Sequence, residues 1–194
     1  MAVILASQSP RRRELLTKLG LCFSVVTADV DETMQQGKDP RDEVARVCRA
    51  KAQAVRDRGH DKDLIIAADT IVVVQGEVLG KPKDREDAAR MLRLLSGKDH
   101  EVMTGLTVLQ AEQSRTLVET AKIHFRQLDE QELAAYIATG EPMDKAGAYG
   151  IQGLASIFIT GITGDYYTVM GLPVCRLAET LKDFGIRILP DAAE

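Results

Sequence analysis

The stretch Leu64-Ile65-Ile66-Ala67-Ala68-Asp69-Thr70-Ile71-Val72-Val73-Val74 reads as a single β-strand with an acid near its middle. A run this apolar and β-branched is characteristic of a strand buried on both faces. A carboxylate inside it is costly unless it meets a cation, a metal ion or water held in a cleft. Fixed on a rigid strand, such a group suits the role of general base or metal ligand. Asp69 is therefore the leading candidate for a catalytic residue. The competing reading makes it a strand-end residue in a hydrogen-bonded turn, with Ile71 starting a second strand.

Working outward, Asp39-Pro40 opens a helix that reaches about Arg58 and stops at Gly59, ahead of the strand. Beyond the strand, Gln75-Gly76 turns the chain and Val78-Leu79 returns as a short strand. Val3 to Ala6 predicts a further strand, followed by a loop and a helix to about Leu19. There Ser9 suits the N-cap, Pro10 the first helical position and Gly20 the C-cap. Residues 22–27 predict a strand and residues 28–38 a loop. Asp84 caps a helix to Leu95 that ends at Gly97, and two long alternating strands follow at about 100–110 and 114–125. Asp129 and Glu132 form a capping-box-like start for a helix over 130–139. A glycine-rich loop spans 140–153. A hairpin of 155–160 and 165–169 is expected next, then Gly171-Leu172-Pro173 and a last helix to Phe184. Early βα units followed by long hairpin strands argue for an α/β fold. The expected architecture is a mixed, twisted sheet flanked by helices, with a cleft between two lobes. The length fits a single domain over residues 1–194.

With a net charge of −4 and only 4% aromatic residues, the chain lacks the footprint of a stable nucleic-acid binder. Its 25 lysines and arginines still allow a local anion pocket. Cys22, Cys48 and Cys175 are far apart and form no zinc pattern, so they read as reduced, partly buried thiols. The N-terminus carries no signal-peptide pattern, and no apolar run approaches the ~20 residues of a membrane span. The expected location is the cytoplasm.

Ser7-Gln8-Ser9-Pro10-Arg11-Arg12-Arg13 places hydroxyls and guanidiniums at a helix N-terminus, where free N–H groups and the helix dipole favour phosphate. Cations in a first turn oppose that dipole unless an anion compensates. Ser7, Arg11 and Arg12 are the phosphate-binding candidates, and Arg13 reads as solvated. Val44, Val47 and Lys51 share one helical stripe, so Lys51 either snorkels to water or points into the anion site. Lys81, between Gly80 and Pro82, sits in a stiff extended loop. In Asp31-Glu32, the choice is between a solvated pair and one carboxylate that completes a metal site with Asp69. Hard oxygen donors without histidine or cysteine suit Mg²⁺ or Mn²⁺. Glycines in the loop 144–153 let backbone approach a ligand closely, and the Gln152 carboxamide can pair with the edge of a base. His60, His100 and His124 are scattered and receive no role.

Four segments carry a family resemblance: Ala6-Ser7-Gln8-Ser9-Pro10-Arg11-Arg12, Ala68-Asp69-Thr70, Gly80-Lys81-Pro82, and Asp144-Lys145-Ala146-Gly147-Ala148-Tyr149-Gly150-Ile151-Gln152-Gly153. In this order and spacing they resemble the Maf family of nucleoside triphosphate pyrophosphatases. The Ala-Tyr-Gly-Ile-Gln-Gly form is similar to the branch acting on dTTP and UTP. The resemblance implies cleavage between the α- and β-phosphates, a divalent metal (Mg²⁺ or Mn²⁺), a fold similar to the inosine-triphosphate pyrophosphatases, and a homodimer. It implies Asp69 as proton acceptor, with Glu32 near the metal. It assigns Arg11, Thr70 and Gln152 to base selection, and Ser7, Arg12, Lys51 and Lys81 to the phosphates. Glycine is common in relatives where this chain has Gln8. Alternatives are a different base preference, modified pyrimidine nucleotides included, or a non-catalytic nucleotide-binding regulator, for instance of cell division.

Overall fold

The computed structural model describes residues 2–27, 29–35 and 37–189. The elements run β1 (Val3–Leu5), α1 (Pro10–Lys18), β2 (Ser24–Val25), α2 (Pro40–Arg56), β3 (Leu64–Val74), β4 (Glu77–Leu79), α3 (Arg85–Leu95), β5 (Asp99–Gln110), β6 (Gln113–Phe125) and α4 (Glu130–Ala138). Three short 3₁₀ turns follow at Glu141–Asp144, Ala146–Ala148 and Leu154–Phe158, then β7 (Ile159–Thr163), α5 (Tyr166–Met170) and α6 (Val174–Asp183).

β3 is one continuous strand of 11 residues in which every residue except Thr70 is buried, so Asp69 lies within a strand and not at its end. The sheet order is β2-β1-β3-β5-β6-β7, with β4 paired to β3. β1 pairs in parallel with both β2 and β3. β4 returns antiparallel on β3, and β7 lies antiparallel to β6. The expected mixed α/β sheet is therefore present. Gln75 and Gly76 both take positive φ (50° and 81°), which is the conformation of a two-residue hairpin turn.

The helix ends follow the local chemistry. Ser9, Asp39 and Asp84 cap α1, α2 and α3 through their side chains, and Pro10 and Pro40 occupy the first turns. Asp129 and Glu132 form a complete capping box on α4. Among the described residues, no helix is long and apolar enough to cross a membrane.

Three expectations are corrected. The 155–169 hairpin is absent: 154–158 is a 3₁₀ turn, only 159–163 is strand, and 166–170 is a helix. Asp165 decides the last of these, because its carboxylate accepts from the Tyr167 and Thr168 N–H groups and the Thr168 hydroxyl. Such a cap overrides the β-preference of Tyr-Tyr-Thr-Val. The strand expected over 22–27 shrinks to Ser24–Val25. Of the three free thiols, Cys48 is buried whereas Cys22 and Cys175 are exposed. Ala28 and Gln36 of the expected 28–38 loop, and Met1 and 190–194 of the expected 1–194 domain, lie outside the described residues.

The chain divides into two compact units. Among the described residues, one comprises those within 2–69, 105–118 and 171–189; the other comprises 70–104 and 119–170. The first has an aliphatic core of Ile4, Ala6, Cys48, Ala52, Val55, Ile65, Ala67 and Leu109, which seats α2 on β1, β3 and β5. The second buries Val72, Val74, Leu92, Val102, Phe125, Tyr136 and Phe158 with α3 and α4.

Close approach of α2 to β5 depends on Gly105. A Cβ there would lie 3.0 Å from the Val44 carbonyl oxygen and 3.3 Å from Cys48 Cβ. Both neighbours are buried parts of the helix that cannot swing aside. Gly105→Ala is expected to destabilise the protein by about 1–3 kcal/mol through overpacking. Urea unfolding with an unchanged m-value and a lower midpoint checks this.

Candidate active site

The candidate residues divide between the two units. In the first, alternation along β3 puts Asp69 on the same face as Ile65 and Ala67, toward α2. Lys51, on the Val44–Val47 stripe of α2, meets it there. Its Nζ lies 2.6 Å from Asp69 Oδ1 and 2.9 Å from Glu32 Oε1. The Lys51 and Asp69 side chains are only 9% and 10% exposed, while Glu32 is 53% exposed. One buried cation thus holds a buried acid and a solvent-facing acid. Lys51 therefore does not snorkel to water, and Glu32 is the residue of its pair whose carboxylate reaches the Lys51 ammonium.

Asp31 folds back on its own loop, where its carboxylate accepts from the Thr33 N–H at 2.9 Å. Bonding from Thr33 holds this carboxyl below its usual range. The loop carrying Glu32 is tied to α2 by side chains that the sequence did not single out. Arg46 donates to the Thr33 carbonyl at 2.9 Å and pairs with Glu43, and Glu43 accepts from the Gln35 N–H at 2.9 Å. Glu43 is buried despite its charge.

At the start of α1, the Arg12 guanidinium is buried. Its Nε donates to the Gly171 carbonyl at 2.7 Å and its Nη1 to Ser7 Oγ at 3.0 Å. Burial lowers the Arg12 pKa, while the charges of Asp69 and Glu32 oppose that shift. Ser7 Oγ also accepts from the Ser9 N–H at 3.2 Å. A hydroxyl that accepts twice has its proton left to direct elsewhere, so Ser7 is a donor toward any anion that approaches. Arg11 is partly exposed and Arg13 exposed, as the sequence suggests for the latter.

In the second unit, Thr70 faces the opposite way from Asp69. Thr104 Oγ1 donates to the Thr168 carbonyl at 2.7 Å and lies 2.9 Å from Thr70 Oγ1. A hydroxyl has one proton, so in the second contact Thr70 is the donor. Toward anything else, Thr70 Oγ1 can only accept. Lys81 is exposed, and its loop is held where the Gly147 N–H donates to the Gly80 carbonyl at 3.0 Å. Gln152 is exposed on the loop 149–153. Two glycines of that loop are also required by their own neighbours. A Cβ on Gly153 would overlap the Glu141 carboxylate, and one on Gly150 would come within 2.6 Å of Lys145 Cε. His100, in the same unit, is buried with Nε2 2.8 Å from the Tyr149 hydroxyl, and burial lowers its pKa to about 4.

Among the described residues, no group of three or more histidine, cysteine, aspartate or glutamate side chains is placed to hold a metal. Asp69 and Glu32 nevertheless present two hard oxygens to one cation, the Lys51 ammonium. That donor set fits an ion held by one or two carboxylates together with substrate phosphates, as Mg²⁺ is.

A family model described as Maf-like protein matches residues 2–184. The chain belongs to the Maf-like family. Relatives include proteins named dTTP/UTP pyrophosphatase from Pelotomaculum thermopropionicum, Hahella chejuensis and Geobacillus. The first is 51% identical over 189 residues, 96% of this chain and 98% of the relative. The others are 46% identical over 97% and 95% of the two chains, and 47% identical over 94% and 98%. Among solved structures, the chain is similar to the Ham1 protein of Staphylococcus aureus (TM-score 0.56, 13% identity, 95% of this chain and 100% of that one). A HAM1 protein from Coxiella burnetii gives a TM-score of 0.51 at 12% identity, over 94% and 100% of the two chains. At such identities the likeness is one of fold. It agrees with the mixed α/β sheet of this chain.

Removing Lys51 leaves a buried carboxylate without its partner cation. Lys51→Met is expected to lower stability by about 2–4 kcal/mol, and adding Asp69→Asn should restore more than half of the loss. Urea unfolding of the double-mutant cycle at pH 7 measures both. Beneath Asp69, the Cys48 Sγ lies 3.1 Å from the Ala67 carbonyl, and burial pushes this thiol up to about 11. A raised thiol pKa means that the neutral form is favoured in the fold; the associated stability is full below pH 9 and is lost as pH rises through 11. With Ellman's reagent at pH 8, Cys22 and Cys175 are expected to react promptly and Cys48 only after denaturation.

Proposed function

We propose that this protein is a nucleoside triphosphate pyrophosphatase that hydrolyses dTTP and UTP, modified pyrimidine nucleotides included, to the nucleoside monophosphate and pyrophosphate. The observation that carries the chemistry is the buried Asp69 carboxylate held at 2.6 Å by Lys51, with Glu32 on the same ammonium. The names of the full-length relatives support the substrate class.

In this reading Asp69 orients a water and takes its proton. The water oxygen bonds to the α-phosphorus, the bond to the bridging oxygen breaks, and pyrophosphate leaves with that electron pair. Ser7, with its proton directed outward, and the Arg12 guanidinium stabilise charge on the phosphates. Arg11, Lys51 and Lys81 are assigned to the same task. Arg11, Thr70 and Gln152 are assigned to the base. Asp69 and Glu32 would hold a divalent cation, Mg²⁺ or Mn²⁺, which would offset the triphosphate's charge.

The whole chain is taken as one functional domain, working in the cytoplasm as a homodimer without a stable nucleic-acid partner. Free cysteines and a net charge of −4 support that setting.

Pyrophosphate release across a panel of nucleoside triphosphates with Mg²⁺ or Mn²⁺ tests the proposal. Release from dTTP and UTP well above the purine triphosphates is expected. Asp69→Asn should lower kcat by about 10²–10⁴-fold, the range for loss of a general base. Near-full turnover by that variant would remove Asp69 from the role. Nucleotide binding without any release would favour a regulator that binds and does not cleave.

A further inference from the structure

The turn that carries Gln152 is closed on itself and then held from outside by two side chains. The Gly153 N–H donates to the Gly150 carbonyl at 3.1 Å, which closes a four-residue β-turn with Ile151 and Gln152 at its corners. Tyr136, buried on α4, donates its hydroxyl to Glu141 Oε1 at 3.0 Å, and the Gly150 N–H also reaches the phenol oxygen. Glu141 Oε2 accepts from the Leu154 N–H at 2.9 Å. The first residue of the turn and the residue just past its last are thereby attached to one hydrogen-bonded pair, Tyr136–Glu141. Burial, and then the Glu141 charge, push the Tyr136 phenol well above its usual range, so it remains a donor.

The space around the turn is filled as well. Lys145 Nζ donates to the Glu141 carbonyl at 2.8 Å and to Asp144 at 2.6 Å, and its stem occupies the place a Cβ on Gly150 would need. Glu141 fills the corresponding place at Gly153. Gln152 projects from this clamped turn into solvent. Its carboxamide offers an acceptor beside a donor, the complement of a lactam edge in which a ring N–H stands beside a carbonyl.

We propose that Glu141, acting with Tyr136, is a positioning residue for base selection: it clamps the Gly150–Gly153 turn and so fixes how far the Gln152 carboxamide stands from the sugar of the substrate. The inference rests on the reading of this protein as a dTTP/UTP pyrophosphatase. Uracil and hypoxanthine carry the same N–H and carbonyl pair. The imidazole ring of the purine carries that edge farther from the ribose. A carboxamide at fixed reach accepts the first and refuses the second, whereas a loosened turn can retreat and admit both.

The experiment compares kcat/KM for UTP and ITP in the full-length protein and in variants, with amide hydrogen exchange followed at Gly153 and Leu154. Glu141→Ala is expected to speed exchange at both amides and to lower the UTP/ITP ratio about tenfold, the scale of sub-ångström misplacement. The change should come mainly from a gain with ITP, which a general structural defect does not produce. Glu141→Gln, whose carboxamide can still accept from Leu154 and bond Tyr136, should keep the ratio within about twofold. If Glu141→Ala does not fold, Tyr136→Phe removes only the buried hydroxyl and should shift the ratio in the same direction. Faster exchange with an unchanged ratio, or an equal fall for both nucleotides, overturns the inference and leaves the activity standing. No pyrophosphate from any triphosphate with the unaltered protein overturns the activity and this inference with it.

Discussion

The contact between Lys51 and Asp69 is the constraint around which the first unit is arranged. A strand as apolar as β3 can keep an ionised acid only if a cation is brought to it. That cation must come from an element packed directly on the strand. α2 supplies it, and several otherwise unrelated features follow from the need to seat α2 closely. Gly105 has no side chain where the helix passes. Cys48, small and neutral, fills the gap one turn before Lys51 and bonds the Ala67 carbonyl two residues before Asp69. Glu43 and Arg46, on the same helix, hold the loop that brings Glu32 to the other side of the ammonium. A single helix thus provides the counter-charge and the tether for the second carboxylate.

Two hydroxyls show how a protein assigns donor and acceptor roles without any charge. Ser7 accepts from Arg12 and from the Ser9 backbone, and so is left to donate. Thr70 donates to Thr104, whose own proton is taken by the Thr168 carbonyl, and so is left to accept. Neighbours one bond removed from a residue therefore set what it can recognise. Such assignments are invisible in a list of residue types.

The parts of the molecule that were legible in the sequence are those set by local rules. Periodicity gave β3 and α2, and caps at Ser9, Asp39, Asp84 and Asp129 marked the helix starts. An acid in an apolar strand pointed to Asp69, and a stripe position pointed to Lys51. The stripe alone could not say where the ammonium would end, because that depends on which face of β3 the helix covers. The helix at 166–170 was hidden for another reason: its residues favour strands, and one aspartate cap outweighs them. The packing reason for Gly150 and Gly153 is not legible in the sequence, because the groups that forbid a side chain there, Lys145 and Glu141, lie 5 and 12 residues earlier in the chain. Thr104 gave no signal at all, since a threonine in a long strand is ordinary until its neighbours are known.

The bond from Arg12 to the Gly171 carbonyl joins positions 159 residues apart. The unit that contains it is assembled from three separate stretches of chain, the last of which begins at Gly171 itself. During synthesis at roughly 5–20 residues per second, the first loop therefore waits on the order of ten seconds before its anchor leaves the ribosome. The N-terminal end of α1 is among the earliest segments made and among the last to settle. The second unit lies entirely within 70–170, so it can complete its core while that loop is still untethered. Birth order and assembly order run in opposite directions in this chain.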